Sequence, residues 1–164
     1  MPTAVAPETR VYRKQLRSFE KNLRNRILTS RFTTSTWNEN ELYRNKHNNI
    51  GCIYCCPDPI SKSIKLDTNL FILEMNNDTN KIIGVGLIRN QYVNGKLNVY
   101  SKVNYNRYTY VGRKRIDRSE MNEEEDLVMK IFDILCFRGN KHMKRGQGLK
   151  SFPIELLFTL FKKV

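Results

Sequence analysis

The sequence predicts an α+β chain: a small mixed β-sheet or barrel with flanking helices and an N-terminal amphipathic basic helix. Three observations predict it. Apolar residues recur at helical spacing near both ends of the chain, and apolar runs of strand length fill its middle. The charge is divided in the same way. Residues 1–50 and 101–164 each carry a net +6, while residues 51–100 carry only +1. The ends hold the electric field and the middle holds the core.

Residues 1–8 read as a loose arm. Over 9–30, Tyr12, Leu16, Phe19, Leu23 and Ile27 recur every three or four residues as one narrow apolar stripe. Arg10, Arg13, Lys14, Arg17, Lys21, Arg24 and Arg26 surround that stripe, with Glu20 opposing them. This predicts a helix docked by its stripe with its cationic face outward. It divides the chain into an arm and helix, 1–34, and a domain, 35–164. Thr36, with Glu39 three residues on, predicts the cap and capping box of a second helix. "IGCIYCC" reads as a buried strand stopped by "PDP".

"NLFILEM" and "KIIGVGLIR", joined by "NNDTN", predict a hairpin covered on both faces, with Gly84 and Gly86 marking a bulge or a close approach. "KLNVY" and "RYTYVG" read as further strands. "MNEEEDLVMKIFDILCFRG" reads as a helix started by Ser119 or Asn122, with acids in its first turn and Gly139 just past its end. Leu127, Ile131, Ile134 and Leu135 are its expected buried face. Ser151 as cap and Pro153 as opening residue predict a last short helix.

The chain of 164 residues carries 29 Lys and Arg against 16 Asp and Glu, a net +13, so a polyanion is the expected partner. No apolar run reaches the roughly 20 residues that span a bilayer, and no membrane is expected. The N-terminal "MPTAVAPETR" is not a secretory signal, so the four cysteines are expected reduced. Cys52 and Cys55 have zinc-knuckle spacing, but a second pair is missing and strand alternation puts them on opposite faces. No metal or cofactor is expected. His47 and His142 sit in no recognisable catalytic arrangement, and no catalytic residue is assigned.

Two segments carry the expected binding chemistry. In "NYNRYTYVGRKRIDR", Tyr108 and Tyr110 share a strand face while Arg107, Arg113, Lys114, Arg115 and Arg118 supply charge. Aromatic faces stack bases and guanidinium groups pair with phosphates; the tyrosines read equally well as half-buried strand residues. In "KHMKRGQGLK", Lys141, His142, Lys144, Arg145 and Lys150 flank Gly146 and Gly148, whose freedom lets backbone N–H groups converge on an anion. These cations are expected to converge into one positive surface.

The stretches "NLFILEMNNDTNKIIGVGLIRN", "YNRYTYVGRKRIDR" and "HMKRGQGL" resemble a family of uncharacterised small proteins of nucleocytoplasmic large DNA viruses, over residues 50–154. That resemblance implies the infected-cell cytoplasm or the virion. The "IIGVGLI" strand after a polar turn also resembles PUA-like domains, the EVE, ASCH and YTH readers, which hold a base in an aromatic-lined pocket. Here Trp37 and the tyrosines are the candidate walls. The expected function is non-catalytic binding of nucleic acid, RNA or single-stranded. The alternatives are a virion assembly protein docking an acidic partner or the packaged genome, and an enzyme on a nucleotide or RNA using His142.

Overall fold

The structure, a computed structural model, describes residues 6–23 and 25–162. The chain runs α1 (Pro7–Asn22), β1 (Arg26–Phe32), α2 (Thr34–Asn45), β2 (Cys52–Cys56), β3 (Asn69–Asn76), β4 (Lys81–Arg89), β5 (Tyr108–Gly112), β6 (Lys114–Asp117), α3 (Glu123–Phe137), β7 (Leu149–Ser151) and α4 (Ile154–Lys162). Five strands form one mixed sheet in the order β6-β4-β3-β1-β7, and β2 and β5 form a separate antiparallel pair; these strands do not close into a barrel. The α+β class and the mixed sheet therefore stand as expected.

The first helix is shorter than its periodicity predicts. α1 stops at Asn22, and Ile27 belongs to β1. β1 is parallel to β3 and antiparallel to β7, so its backbone is hydrogen-bonded on both sides. Those ladders outweigh a helical spacing that continued into the strand by coincidence. A domain boundary at residue 34 would part β1 from the sheet that holds it. The stripe does dock: the Tyr12 and Phe19 rings lie 5.7 and 5.3 Å from Phe158 of α4. Arg24 and residues 1–5 of the expected arm lie outside the described residues.

Alternation along the strands feeds two cores. Leu28, Phe32, Leu70, Ile72 and Ile88 pack beneath β2 and β5, against Ile53, Tyr54 and Tyr110. On the opposite face, Leu73, Met75 and Ile82 meet Met129, Phe132 and Cys136 of α3, with Phe152 and Leu157. The β3–β4 hairpin carries both features expected of its glycines. The register shifts beside Gly84, and a side chain at Gly86 would strike the Tyr54 hydroxyl, so glycine there lets β2 lie close over the sheet.

Four local expectations need correction. α2 is capped by Thr33, not Thr36: the Thr33 hydroxyl accepts from the Thr36 N–H while Thr36 Oγ1 accepts from the Thr33 N–H, and Glu39 accepts instead from the Ser101 N–H. "KLNVY" is not a strand, because the Asn106 amide donates to Tyr100 O and accepts from Tyr100 N–H, taking the place of a strand partner. Ser151 lies in β7 opposite Leu28 and caps nothing, whereas Pro153 does precede α4 and accepts from the Leu156 N–H. α3 starts at Asn122 with a capping box to Glu125, but it buries Met129, Phe132, Cys136 and Phe137. Leu127, Ile131 and Ile134 face outward and Leu135 is only half-buried.

Candidate functional site

β1 and β3 run parallel and end together, at Phe32 and Asn76. Open α/β sheets leave their crevices at the carboxyl ends of such strands. A cavity of about 150 Å³ lies there, lined among others by Arg31, Thr33, Thr36, Cys55, Asn77, Tyr100, Tyr105 and Gly146–Gly148. Beside it runs a groove lined by Asp58, Lys102, Tyr105, Arg107 and Gln147. Gln147 and Tyr105 belong to both, so the glycine loop and the segment before β5 face each other.

Arg31 organises this end of the molecule. Its Nη1 donates to Met143 O at 3.1 Å and its Nη2 to Gly148 O at 2.8 Å, while Asn77 Nδ2 donates to Lys144 O at 3.0 Å. The loop carbonyls are thereby held inward. Positive φ at Gly146 (97°) and Gly148 (73°) makes the turns that side chains would resist. Among the described residues, no acceptor takes the N–H groups of Gly146 and Gln147.

The charge of Arg31 is not balanced. No carboxylate pairs with it among the described residues, and burial pulls its pKa below the ordinary arginine value. Its Nε is a buried donor without an acceptor, and Asn77 Oδ1 is a buried acceptor without a donor. A half-buried guanidinium with no counter-charge is costly unless something else supplies one. The N-terminus of α2, by contrast, is already occupied: the Asp78 carboxylate accepts from the Thr34 N–H at 2.8 Å.

The expected site residues divide into three groups. Lys141, His142, Lys144 and Arg145 lie on the loop, and Arg107 lies in the groove facing it. His142 Nδ1 accepts from the Lys144 N–H at 3.2 Å. Arg113 and Lys114 sit at β6, the far edge of the sheet from β7, where Lys150 lies. Four interstrand steps separate these edges by about 19 Å. The single positive surface expected from sequence is therefore split: the Lys150 side chain lies beside Gly146 of the loop, while Lys114 reads as a lysine that guards a sheet edge.

The third group is spent inside the fold. Arg115 pairs with Glu74 at 2.7 Å and with Asp117 at 3.0 Å, and Arg118 pairs with Asp126 and Asp133 at 3.0 and 2.8 Å. Tyr110 is buried, its hydroxyl accepting from the Ile60 N–H, and Tyr108 is half-buried against Tyr92. Trp37 is no pocket wall either. Arg44 and Arg115 lie 4.9 and 4.8 Å from its ring centre.

Arg31, Asn77, Tyr100, Tyr105 and Lys102 form the site without having been singled out from sequence, apart from Tyr105 as one of the tyrosines. One signal was present: a lone arginine closing the otherwise uncharged strand segment "ILTSRF", just before capping threonines. The cysteines are separate core thiols. Cys52 and Cys56 are buried, Cys55 accepts from Thr109, and burial pushes Cys52 and Cys55 up to about 11 and Cys56 and Cys136 up to about 12. Among the described residues no group of three or more His, Cys, Asp or Glu could hold a metal ion, and no helix is long and apolar enough to cross a membrane. No protein-family model matches the chain, and no curated protein matches it.

Proposed function

We propose that the chain binds single-stranded nucleic acid, RNA in the first place, with one unstacked base in the cavity at the ends of β1 and β3. The observation that carries this reading is the cavity's unmet polar demand. A donor on Arg31 and an acceptor on Asn77 lie buried without partners, on residues that line the cavity with Tyr100 and Tyr105. A nucleobase brings a flat face for the ring and both an acceptor and a donor on one edge. The phosphates either side of that base would lie along Lys102, Arg107, Lys144 and Arg145, with the Gly146 and Gln147 N–H groups as further donors. The resemblance of residues 50–154 to small proteins of large DNA viruses, and of the "IIGVGLI" strand to PUA-like domains, agrees with this reading and suggests the infected-cell cytoplasm or the virion as its setting.

Fluorescence anisotropy with labelled single-stranded RNA, single-stranded DNA and duplex DNA tests it. Four phosphate contacts give a slope of about −3 in log K against log salt for a single strand. The single strands should bind more tightly than the duplex, because only an unpaired base reaches the cavity. No binding at low salt, or a preference for duplex, would overturn the reading.

A further inference from the structure

The outward face of α3 combines a continuous apolar stripe with oppositely charged ends. Leu127, Val128, Ile131 and Ile134 are 60, 47, 40 and 55% exposed. At 100° per residue they fall on one arc of about 120° centred close to Ile131. Single exposed aliphatic residues are ordinary; four contiguous ones along a helix mark an interaction surface. Acids crowd one end of the stripe, with Glu123, Glu124, Glu125 and Asp126 in the first turn. Arg138 and Lys141 follow the other end. Neither Glu124 nor Arg138 has an ion-pair partner among the described residues.

The stripe is symmetric about Ile131. Val128 and Ile134 are equidistant from it, as are Leu127 and Leu135, and as are Glu124 and Arg138. A second copy of the helix laid antiparallel across Ile131 would set Ile131 against itself, Val128 against Ile134, and Glu124 against Arg138 twice. That is the self-complementarity a two-fold interface requires. Charge also singles out this surface. Two chains of +13 repel, and a quarter of the chain's 16 acids lie in the four residues 123–126.

We propose that α3 is the interface of an antiparallel homodimer, closed by the aliphatic stripe and by two Glu124–Arg138 pairs. It is independent of the nucleic-acid reading and stands or falls separately. The test is sedimentation equilibrium on the full chain, nuclease-treated and free of absorbance from nucleic acid, at low salt. The expected mass at about 100 μM is twice 19.4 kDa. Ile131→Asp should halve it. Glu124→Arg and Arg138→Glu should each raise the dimer dissociation constant about tenfold, and the double charge swap should restore it. Near-UV circular dichroism shows whether each variant has folded, and the swap carries the test if Ile131→Asp has not. A wild-type monomer at that concentration overturns the proposal and leaves the stripe to a foreign partner. A double swap no tighter than the single changes overturns it equally.

Discussion

Arg115 grips Glu74 with two nitrogens. Its Nη2 lies 2.7 Å from Oε1 and its Nε 3.0 Å from Oε2, and the carboxylate is only 1% exposed. The Tyr54 hydroxyl donates to the same Oε2 at 2.7 Å. Burial works against the charged guanidinium, but the hydrogen bonds and charges of Glu74 and Asp117 outweigh it and raise the Arg115 pKa. Arg115→Met removes the partner and leaves Glu74 buried and charged, so it should cost about 3–5 kcal/mol in urea unfolding. The Glu74→Gln, Arg115→Met double variant should lose less than the two single losses together, because neither charge is then stranded.

Asp117 gives stability a dependence on acid. Burial alone would raise its pKa, but hydrogen bonds from Ser119 and the charge of Arg115 lower it below the ordinary 3.8. A carboxyl with a depressed folded-state pKa binds protons more readily when unfolded, so its stabilisation is full above that ordinary value and is lost as pH falls through the folded one. Unfolding free energy should therefore decline below about pH 4. Asp117→Asn should flatten that decline in denaturant titrations across the acid range.

Gly86 admits β2 to the sheet. A methyl group there would meet the Tyr54 hydroxyl and the Cys52 sulfur, so Gly86→Ala should destabilise by about 1–3 kcal/mol. In a Tyr54→Phe background the added loss should be smaller, since the atom in closest conflict is gone. Thermal unfolding of the wild type and the three variants of this cycle checks it.

The proposed interface separates stacking from charge. Tyr105→Ala should weaken single-stranded RNA binding by about 1–3 kcal/mol with the salt slope unchanged. Arg107→Ala and Arg145→Ala should each flatten the slope by about 0.7. Arg113→Ala should leave it unaltered, because that residue lies beside the far edge of the sheet. Anisotropy titrations at several salt concentrations distinguish the three outcomes.

Cys55 lines the cavity while Cys52, Cys56 and Cys136 are buried. With its thiol pushed up to about 11 by burial, Cys55 should alkylate slowly at neutral pH and faster as pH rises. It should be the first of the four to react, and bound RNA should protect it. Mass spectrometry of iodoacetamide-treated folded protein reads both effects.

Elements whose signals are local were legible in the sequence. The β3–β4 hairpin, the start of α3 near Asn122 and the strand "CIYCC" follow from turn residues, acids crowding a first helical turn and a bounded apolar run. What escaped depends on neighbours distant in sequence. Ile27 fits a helical stripe and a strand equally well, and only its ladders with β3 and β7 decide. The α3 helix is apolar over more than one face, so periodicity could not tell which face meets the sheet. The cations of the expected site were visible, but Glu74, which claims Arg115, and Asp126 and Asp133, which claim Arg118, become their neighbours only after folding. Arg31 escaped for the same reason: its role rests on loop carbonyls more than a hundred residues away.

β1 obtains one of its two neighbours from near the opposite end of the chain, and Thr29 reaches across 121 residues to Lys150. During synthesis this strand waits with an unsatisfied flank until β7, more than a hundred residues on, has been translated. Its pairing with β3 is parallel and also non-local, a combination that slows folding and exposes nascent chains to self-association. A chain interrupted before residue 149 lacks β7, so three residues, 149–151, decide whether β1 is paired on both sides.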